Sequence, residues 1–275
     1  MSNPAESSIG SVVSLRRYPV KSMIGEELNE SDITKRGLLG DRAYALVDSS
    51  NGKIASAKNP RKWLKLFEFQ AAYVQSPRSG ERMPPVRITL PNGDAVTSDQ
   101  DDIGRILSGE LGRDVTLEAV APKTPSLEEY WPDIEGLDHR EIVTDEAMPE
   151  GTFFDLAIVH ILTTATLARL GEFYPQGQFR VRRFRPNILV ETNSDENEFP
   201  ENDWIGKTVA IGDDLRLDVT GPCPRCVMTT LPQGDLPKDP GILRTAAQHN
   251  GVHVGVYASV LHDGTIRSGD SVSLA

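Results

Sequence analysis

The chain has 275 residues, with 29 Lys and Arg against 40 Asp and Glu, so the formal net charge is −11 with His neutral. Apolar residues make up 38% and charged residues 25%, ordinary globular usage that allows a full core in one large domain or two smaller ones. The acid excess argues against a nucleic-acid or acidic-membrane binder, which needs a broad basic face. No basic stretch precedes an apolar run near the start. The apolar windows 153–162 and 252–261 are well short of the roughly 18 residues a spanning helix needs. Two cysteines, Cys223 and Cys226, cannot staple a secreted fold of this size. The expectation is a cytoplasmic protein with reduced thiols, no membrane and no nucleic acid.

In chain order, 43–48 and 53–57 flank Asn51-Gly52, which predicts a hairpin. Residues 63–69 alternate as a half-buried strand would. A second hairpin is expected where 86–90 and 94–97 flank Pro91-Asn92-Gly93. A helix is expected over 101–109. Residues 122–150 are polar and Pro-rich with little periodicity, which places the internal boundary there and gives domains 9–125 and 135–275. Helices are expected over 164–173, capped by Thr164, and over 241–248. Hairpins are expected around 212–214 and around Asp263-Gly264. The balance is mainly β with a few helices, an α+β pattern that favours closed or nearly closed barrels over a layered parallel sheet. There is no internal repeat and no low-complexity tract.

Three constellations could carry chemistry. Gly221-Pro-Cys223-Pro-Arg-Cys226 follows a predicted strand. A structural zinc site needs four ligands, and the histidines (His139, His160, His249, His253, His262) offer no matching pair. A redox CxxC would open a helix, whereas Val-Met-Thr-Thr reads as strand or loop. Two buried small hydrophobes are the bland alternative. A thiolate beside Arg225, with its pKa lowered, would suit a soft metal, but the spacing does not name it.

The second constellation is Arg180, Arg182, Arg183 and Arg185, ahead of Pro186 and Asn187. Read as a strand, period 2 puts Arg183 and Arg185 on one face, so some cations point inward and call for an anion such as phosphate or carboxylate. A solvated edge is the alternative. The third is Lys21-Ser22 and Arg42, at strand ends beside small or hydroxyl residues. No dinucleotide or P-loop glycine pattern occurs, and no HExxH, GxSxG or kinase set.

YPVKS, GLLGDRAYALVD, FRPNILV, PCPRCVMTTL and GTIRSGDSVSL, in that order, resemble the MOSC family. More narrowly, they resemble its branch with an N-terminal MOSC β-barrel domain, which includes the amidoxime-reducing components. The resemblance runs from about Ser11 to the C-terminus. It implies two β-barrel domains and a molybdenum cofactor, a Mo-molybdopterin, with Cys226 as the protein ligand to the metal and the catalytic residue. Lys21, Ser22, Arg42, Arg185 and Asn187 match its cofactor-binding positions, Arg225 lies beside the metal thiolate, and Thr163 and Thr164 fall at a polar helix start. Pro224 departs from relatives with a polar residue there, and the role of Cys223 stays open.

The implied activity is an oxidoreductase that reduces small N-hydroxylated compounds with electrons from a separate donor protein of flavin, haem or Fe–S type. A cofactor carrier or sulfur-transfer accessory is the alternative, and a CxxC thiol oxidoreductase a third. Neither a ferredoxin-like domain nor a membrane anchor is expected in this chain, and it has no room for a pyridoxal-phosphate domain.

Overall fold

The computed structural model describes residues 8–193 and 199–275. The chain opens with β1 (Ser8–Arg17), β2 (Glu26–Leu28), β3 (Glu30–Thr34), β4 (Gly37–Leu38) and β5 (Ala45–Asp48). After α1 (Pro60–Trp63) come β6 (Gln70–Tyr73), β7 (Val86–Thr89), β8 (Ala95–Thr97), α2 (Ile103–Leu111) and β9 (Val115–Glu118). The hairpin β10 (Ser126–Tyr130) and β11 (Val143–Ala147) leads to β12 (Val159–Thr163), α3 (Thr164–Phe173), α4 (Val181–Phe184) and β13 (Ile188–Thr192). Then follow β14 (Thr208–Ile211), β15 (Leu215–Pro224), α5 (Pro240–Asn250), β16 (His253–His262), β17 (Gly264–Arg267) and β18 (Ser271–Leu274).

Seven of these strands close on themselves. The order is β13-β12-β16-β15-β14-β18-β1, and β1 returns to pair with β13. Only β12–β13 is parallel within this ring. Closure removes the open edges a sheet would otherwise expose. Alternate side chains point inward: Val12, Ile161, Val190, Leu217, Val256 and Val272 are among those that fill the barrel. Each such aliphatic side chain, fully buried, contributes roughly 1.5–3 kcal/mol. The barrel takes one stave, β1, from the start of the chain and the other six from 159–274.

The segment between β1 and the β10–β11 hairpin has its own core. The three-stranded sheet β6-β7-β8, the pair β5–β9 and α2 enclose Leu46, Trp63, Phe69, Ile88, Leu107 and Val115. Parallel bridges Val20↔Tyr44 and Ile24↔Gln70 tie this unit to the exit of β1.

The hairpin across Pro91-Asn92-Gly93 forms as expected, and so does β14–β15. Other expectations need correction. Residues 63–68 form the end of α1 and a 3₁₀ turn. Pro60 starts the helix without needing an N–H, and Lys65 breaks the apparent alternation, while Trp63 and Leu66 bury in one core and Phe67 buries in another with Val227 and Met228. Residues 53–57 form no strand; Ile54 makes single bridges, and β5 pairs with β9. β16 and β17 do not form a hairpin, because β17 pairs with β3. Thr163, one residue earlier than expected, caps α3 by accepting from the Thr166 amide at 3.1 Å.

Candidate functional site

Where the N-terminal unit meets one end of the barrel, a cavity of about 280 Å³ opens. Four chain exits converge on it. β1 runs into Tyr18 to Ser22, the turn after β4 carries Asp41 and Arg42, α4 ends at Arg185 ahead of Asn187, and β15 ends just before Arg225 and Cys226. The backbone is unusual there. Five non-glycine residues among those described have positive φ, and four of them line this cavity: Ser22 (66°), Arg42 (47°), Arg185 (55°) and Val252 (69°). Left-handed backbone costs side-chain-bearing residues on the order of 1 kcal/mol or more each, and such outliers cluster at functional sites.

A buried carboxylate organises the cations. Asp41 accepts from the Tyr18 amide at 2.7 Å and from Asn187 Nδ2 at 2.9 Å, and it pairs with Arg42. The Tyr18 ring carries two guanidinium groups, Arg185 at 4.1 Å and Arg42 at 4.6 Å from its centroid. Asn187 Oδ1 accepts from the His160 amide at 3.1 Å. Lys21 Nζ donates to Asp155 Oδ1 at 2.5 Å and to the Phe153 carbonyl at 2.8 Å. Lys58 Nζ donates to Glu129 Oε2 at 2.8 Å and lies 3.9 Å from Asp155 Oδ2. Burial holds Lys21 below the ordinary lysine value despite Asp155. For Lys58, Asp155, Cys226 and Glu129 outweigh the opposing effect of burial and hold it above.

The strand that delivers Cys226 is irregular by composition. Pro222 and Pro224 have no N–H for the ladder, and proline within a sheet is confined to edges and bulges. The β15–β16 register accordingly slips between Val219 and Gly221 and again between Pro222 and Pro224. Arg225 then anchors its amide on the Val252 carbonyl at 2.9 Å, and Cys226 begins a 3₁₀ turn over Val227–Thr230.

The two cysteines part company. Cys223 is fully buried and its sulfur accepts from Arg225 Nη1 at 2.7 Å, whereas Cys226 is half-buried and lines the cavity. This corrects the expected lowering of a thiol pKa by Arg225. Burial, reinforced by Glu129 and only partly offset by Lys58 and Arg225, pushes the Cys226 thiol up to about 11. A metal binding there would displace a proton. Among the described residues no group of three or more His, Cys, Asp or Glu is placed to hold a metal ion.

The structure thus brings Lys21, Ser22, Arg42, Arg185, Asn187, Arg225 and Cys226 to one cavity. It does not bring Thr163 or Thr164 there. Thr163 is fully buried and donates to Glu201 Oε2 at 2.6 Å, with Thr166 donating to the same oxygen at 2.7 Å. The strand reading of the arginine run also fails, since residues 181–184 form a helical turn. Arg183 is buried, but on four carbonyl oxygens rather than an anion.

Lys58, Glu129, Asp155 and the hairpin residues Trp131 and Glu146 also line the cavity, and sequence reasoning missed them. Glu129 left a trace: in Ser126–Tyr130 the alternation buries Leu127 and Glu129 on one face. Asp155 and Lys58 lie in loops with no such pattern.

His160 gives a pH test. Burial, then Arg225, depresses it to about 3, and its Nε2 faces the Val254 carbonyl at 3.2 Å. A base whose folded pKa lies below its unfolded value near 6.5 contributes full stability above that pH. The contribution falls as the pH drops from there towards 3, by up to about 1.4 kcal/mol per unit. The buried carboxyls Glu129 and Glu201, raised by burial, act with the opposite sign, so the comparison is differential. Denaturant unfolding at about pH 7.5 and about pH 5 is expected to show a smaller acid loss for His160→Gln than for the parent. Equal losses would place the His160 titration elsewhere.

The family model of the MOSC domain matches residues 150–273, and that of the MOSC N-terminal beta barrel domain matches residues 9–100. The chain is a MOSC-domain protein. Mitochondrial amidoxime reducing component 2 of Rattus norvegicus is 25% identical over 234 residues, covering 81% of this chain and 67% of that protein. The Homo sapiens protein of the same name is 25% identical over 238 residues, with the same coverage. Among solved structures, the YuaD protein from Bacillus subtilis is 12% identical with a TM-score of 0.49, covering 96% of this chain and 94% of that one. MOSC domains are related to molybdenum-cofactor binding. No helix among the described residues of this MOSC-domain protein is long and apolar enough to cross a membrane.

Proposed function

We propose that the cavity seats a molybdenum cofactor and that the protein reduces N-hydroxylated small molecules with electrons from a separate donor protein. The observation that carries this reading is the shared opening: the one cysteine that reaches the cavity faces the same space as Lys21, Arg42, Lys58 and Arg185. A soft thiolate suits molybdenum, and convergent cations suit a phosphorylated pterin.

The residues present fit such a group. Arg225 Nε is a buried donor with no partner among the described residues. Among the described residues the Arg185 side chain makes a single hydrogen bond, from Nη1 to the Met23 carbonyl at 2.8 Å, out of the five N–H donors a guanidinium offers. Cys226 would ligate the metal. Lys21, Arg42 and Arg185 would hold the anionic end, with Ser22, Asn187 and Arg225 completing the seat. Asp41 and Tyr18 are positioning residues that fix the two guanidinium groups. The bound cofactor would supply two-electron removal of oxygen from nitrogen. For an amidoxime the balance is one substrate, two electrons and two protons, giving one amidine and one water.

The test is amine or amidine formed per Mo under anaerobic conditions, with reduced viologen in place of the donor protein and a panel of N-hydroxylated compounds. Turnover is expected with viologen and none with NADH alone. If Mo-replete protein forms no product while a related enzyme does in parallel, the reductase reading fails and a cofactor carrier takes its place.

A further inference from the structure

The cavity has a second pole. Its mouth is walled by the hairpin β10–β11 and the connection between its strands, which contribute Trp131, Leu137, Asp138, Glu146 and Met148, and by Leu156 from the following loop. Leu156 is 60% exposed.

The wall is ordered by a relay of hydrogen bonds. Trp131 Nε1 donates to Thr144 Oγ1 at 2.7 Å, and that hydroxyl donates to Glu146 Oε1 at 2.6 Å. The relay fixes the indole plane and the carboxylate relative to one another. Among the described residues no hydrogen bond reaches Glu146 Oε2, and no cation lies within ion-pair distance of Glu146 or Asp138. In contrast, the acids deeper in the cavity, Glu129 and Asp155, are matched by Lys58 and Lys21.

An indole that lines the cavity, set edge-to-face with His139 at 5.1 Å between ring centroids, beside a carboxylate with no ion-pair partner among the described residues, is a recognition surface for a flat organic cation. The ring attracts positive charge through its quadrupole, and the carboxylate supplies the counter-charge. We propose that the mouth selects N-hydroxylated substrates with an aromatic body and a second, cationic group, and that Trp131 and Glu146 are specificity-determining residues. This inference rests on the reductase reading for its activity arm only.

The test uses three benzamidoximes: one with a para aminomethyl group (cationic), one unsubstituted (neutral) and one with a para carboxylate (anionic). With Mo-loaded protein and reduced viologen, kcat/KM is expected to rank cation over neutral over anion. The step from neutral to cation is about tenfold, for a partly exposed ion pair with a cation–π contact, and the anion falls below the neutral compound through repulsion from Glu146. Glu146→Gln, which keeps the shape and the bond from Thr144, should compress the cation-to-anion ratio at least severalfold, mainly through KM. Equal kcat/KM for all three overturns the inference and leaves the reductase reading standing. No reduction of any of them overturns the reductase reading.

A binding arm then decides the mouth by itself. Calorimetry in phosphate buffer, which supplies an anion for the inner cations, should show benzamidine binding and benzoate not. Trp131→Ala and Glu146→Gln should each weaken benzamidine. Benzoate binding as tightly as benzamidine, or benzamidine indifferent to both substitutions, overturns the inference.

Discussion

Cys226→Ser is expected to remove about nine-tenths or more of the bound molybdenum and reduce turnover below detection, while the protein melts close to the parent. Serine offers a hard, weakly acidic oxygen where a soft metal wants sulfur, so the ligand is lost outright. The fold should tolerate the change, because Cys226 is half-buried at a cavity surface and the substitution nearly conserves volume. The inner cations are untouched, so part of the pterin should remain without its metal.

Cys223→Ser is the internal control. Cys223 is fully buried with its sulfur 2.7 Å from Arg225 Nη1, and a serine oxygen still accepts from that guanidinium. Molybdenum content should therefore stay near the parent value. Elemental analysis per chain, beside thermal melting of each variant, checks both. Equal loss of activity in both variants with unchanged metal content would sustain the thiol-redox reading instead. Loss of metal from Cys223→Ser alone would reverse the ligand assignment.

What could be read from the sequence divides by range. Features set within a few residues were legible: the Pro91-Asn92-Gly93 turn, the β14–β15 hairpin and helix α5 all answer to local chemistry. The motifs around Lys21, Arg42, Arg185 and Cys226 were legible as separate fragments, and the fold brings them together. Features decided by a distant partner were not legible. β17 has a good turn behind it, yet it pairs with β3, more than 200 positions earlier in the chain. Trp63 and Phe69 alternate acceptably, yet the core between α2 and the β6-β7-β8 sheet wraps them as helix and turn.

The charged partners behave in the same way. Asp41 has an ordinary place beside a glycine turn, and only the closed barrel turns it into the acceptor shared by Tyr18, Arg42 and Asn187. Asp155 and Lys58 come from loops that meet Lys21 and Glu129 only in three dimensions. The four positive-φ residues of the cavity have no sequence signal, because none is the glycine that such backbone favours.

The arginine run separates two roles that the sequence could not tell apart, and a substitution should expose the difference. Arg183 is wholly buried, and its side-chain hydrogen bonds among the described residues all go to backbone carbonyls, none to a carboxylate. Its Nε donates to Gln178 O at 3.0 Å, its Nη1 to Thr229 O at 3.0 Å and Leu231 O at 3.1 Å, and its Nη2 to Pro237 O at 2.8 Å. Arg183→Met keeps the length and apolar stem but leaves four inward carbonyls without that donor. A hydrogen bond to a charged group contributes roughly 1.5–3 kcal/mol, offset here because the charge no longer has to be buried. The net loss should be on the order of 3 kcal/mol, or about 6–12 °C in Tm for a chain of this length.

Two of the freed carbonyls, on Thr229 and Leu231, lie in and just after the 3₁₀ turn that begins at Cys226. The loss should therefore reach the metal ligand, and molybdenum content should fall even at temperatures where the variant stays folded. Arg182→Met removes a cation at the surface that pairs with exposed Asp235, and it should shift stability by no more than about 0.5 kcal/mol. Thermal melting of the three proteins, with molybdenum per chain measured well below each midpoint, separates the cases. If Arg183→Met melts with Arg182→Met, the four carbonyl contacts do not hold the Cys226 turn in place.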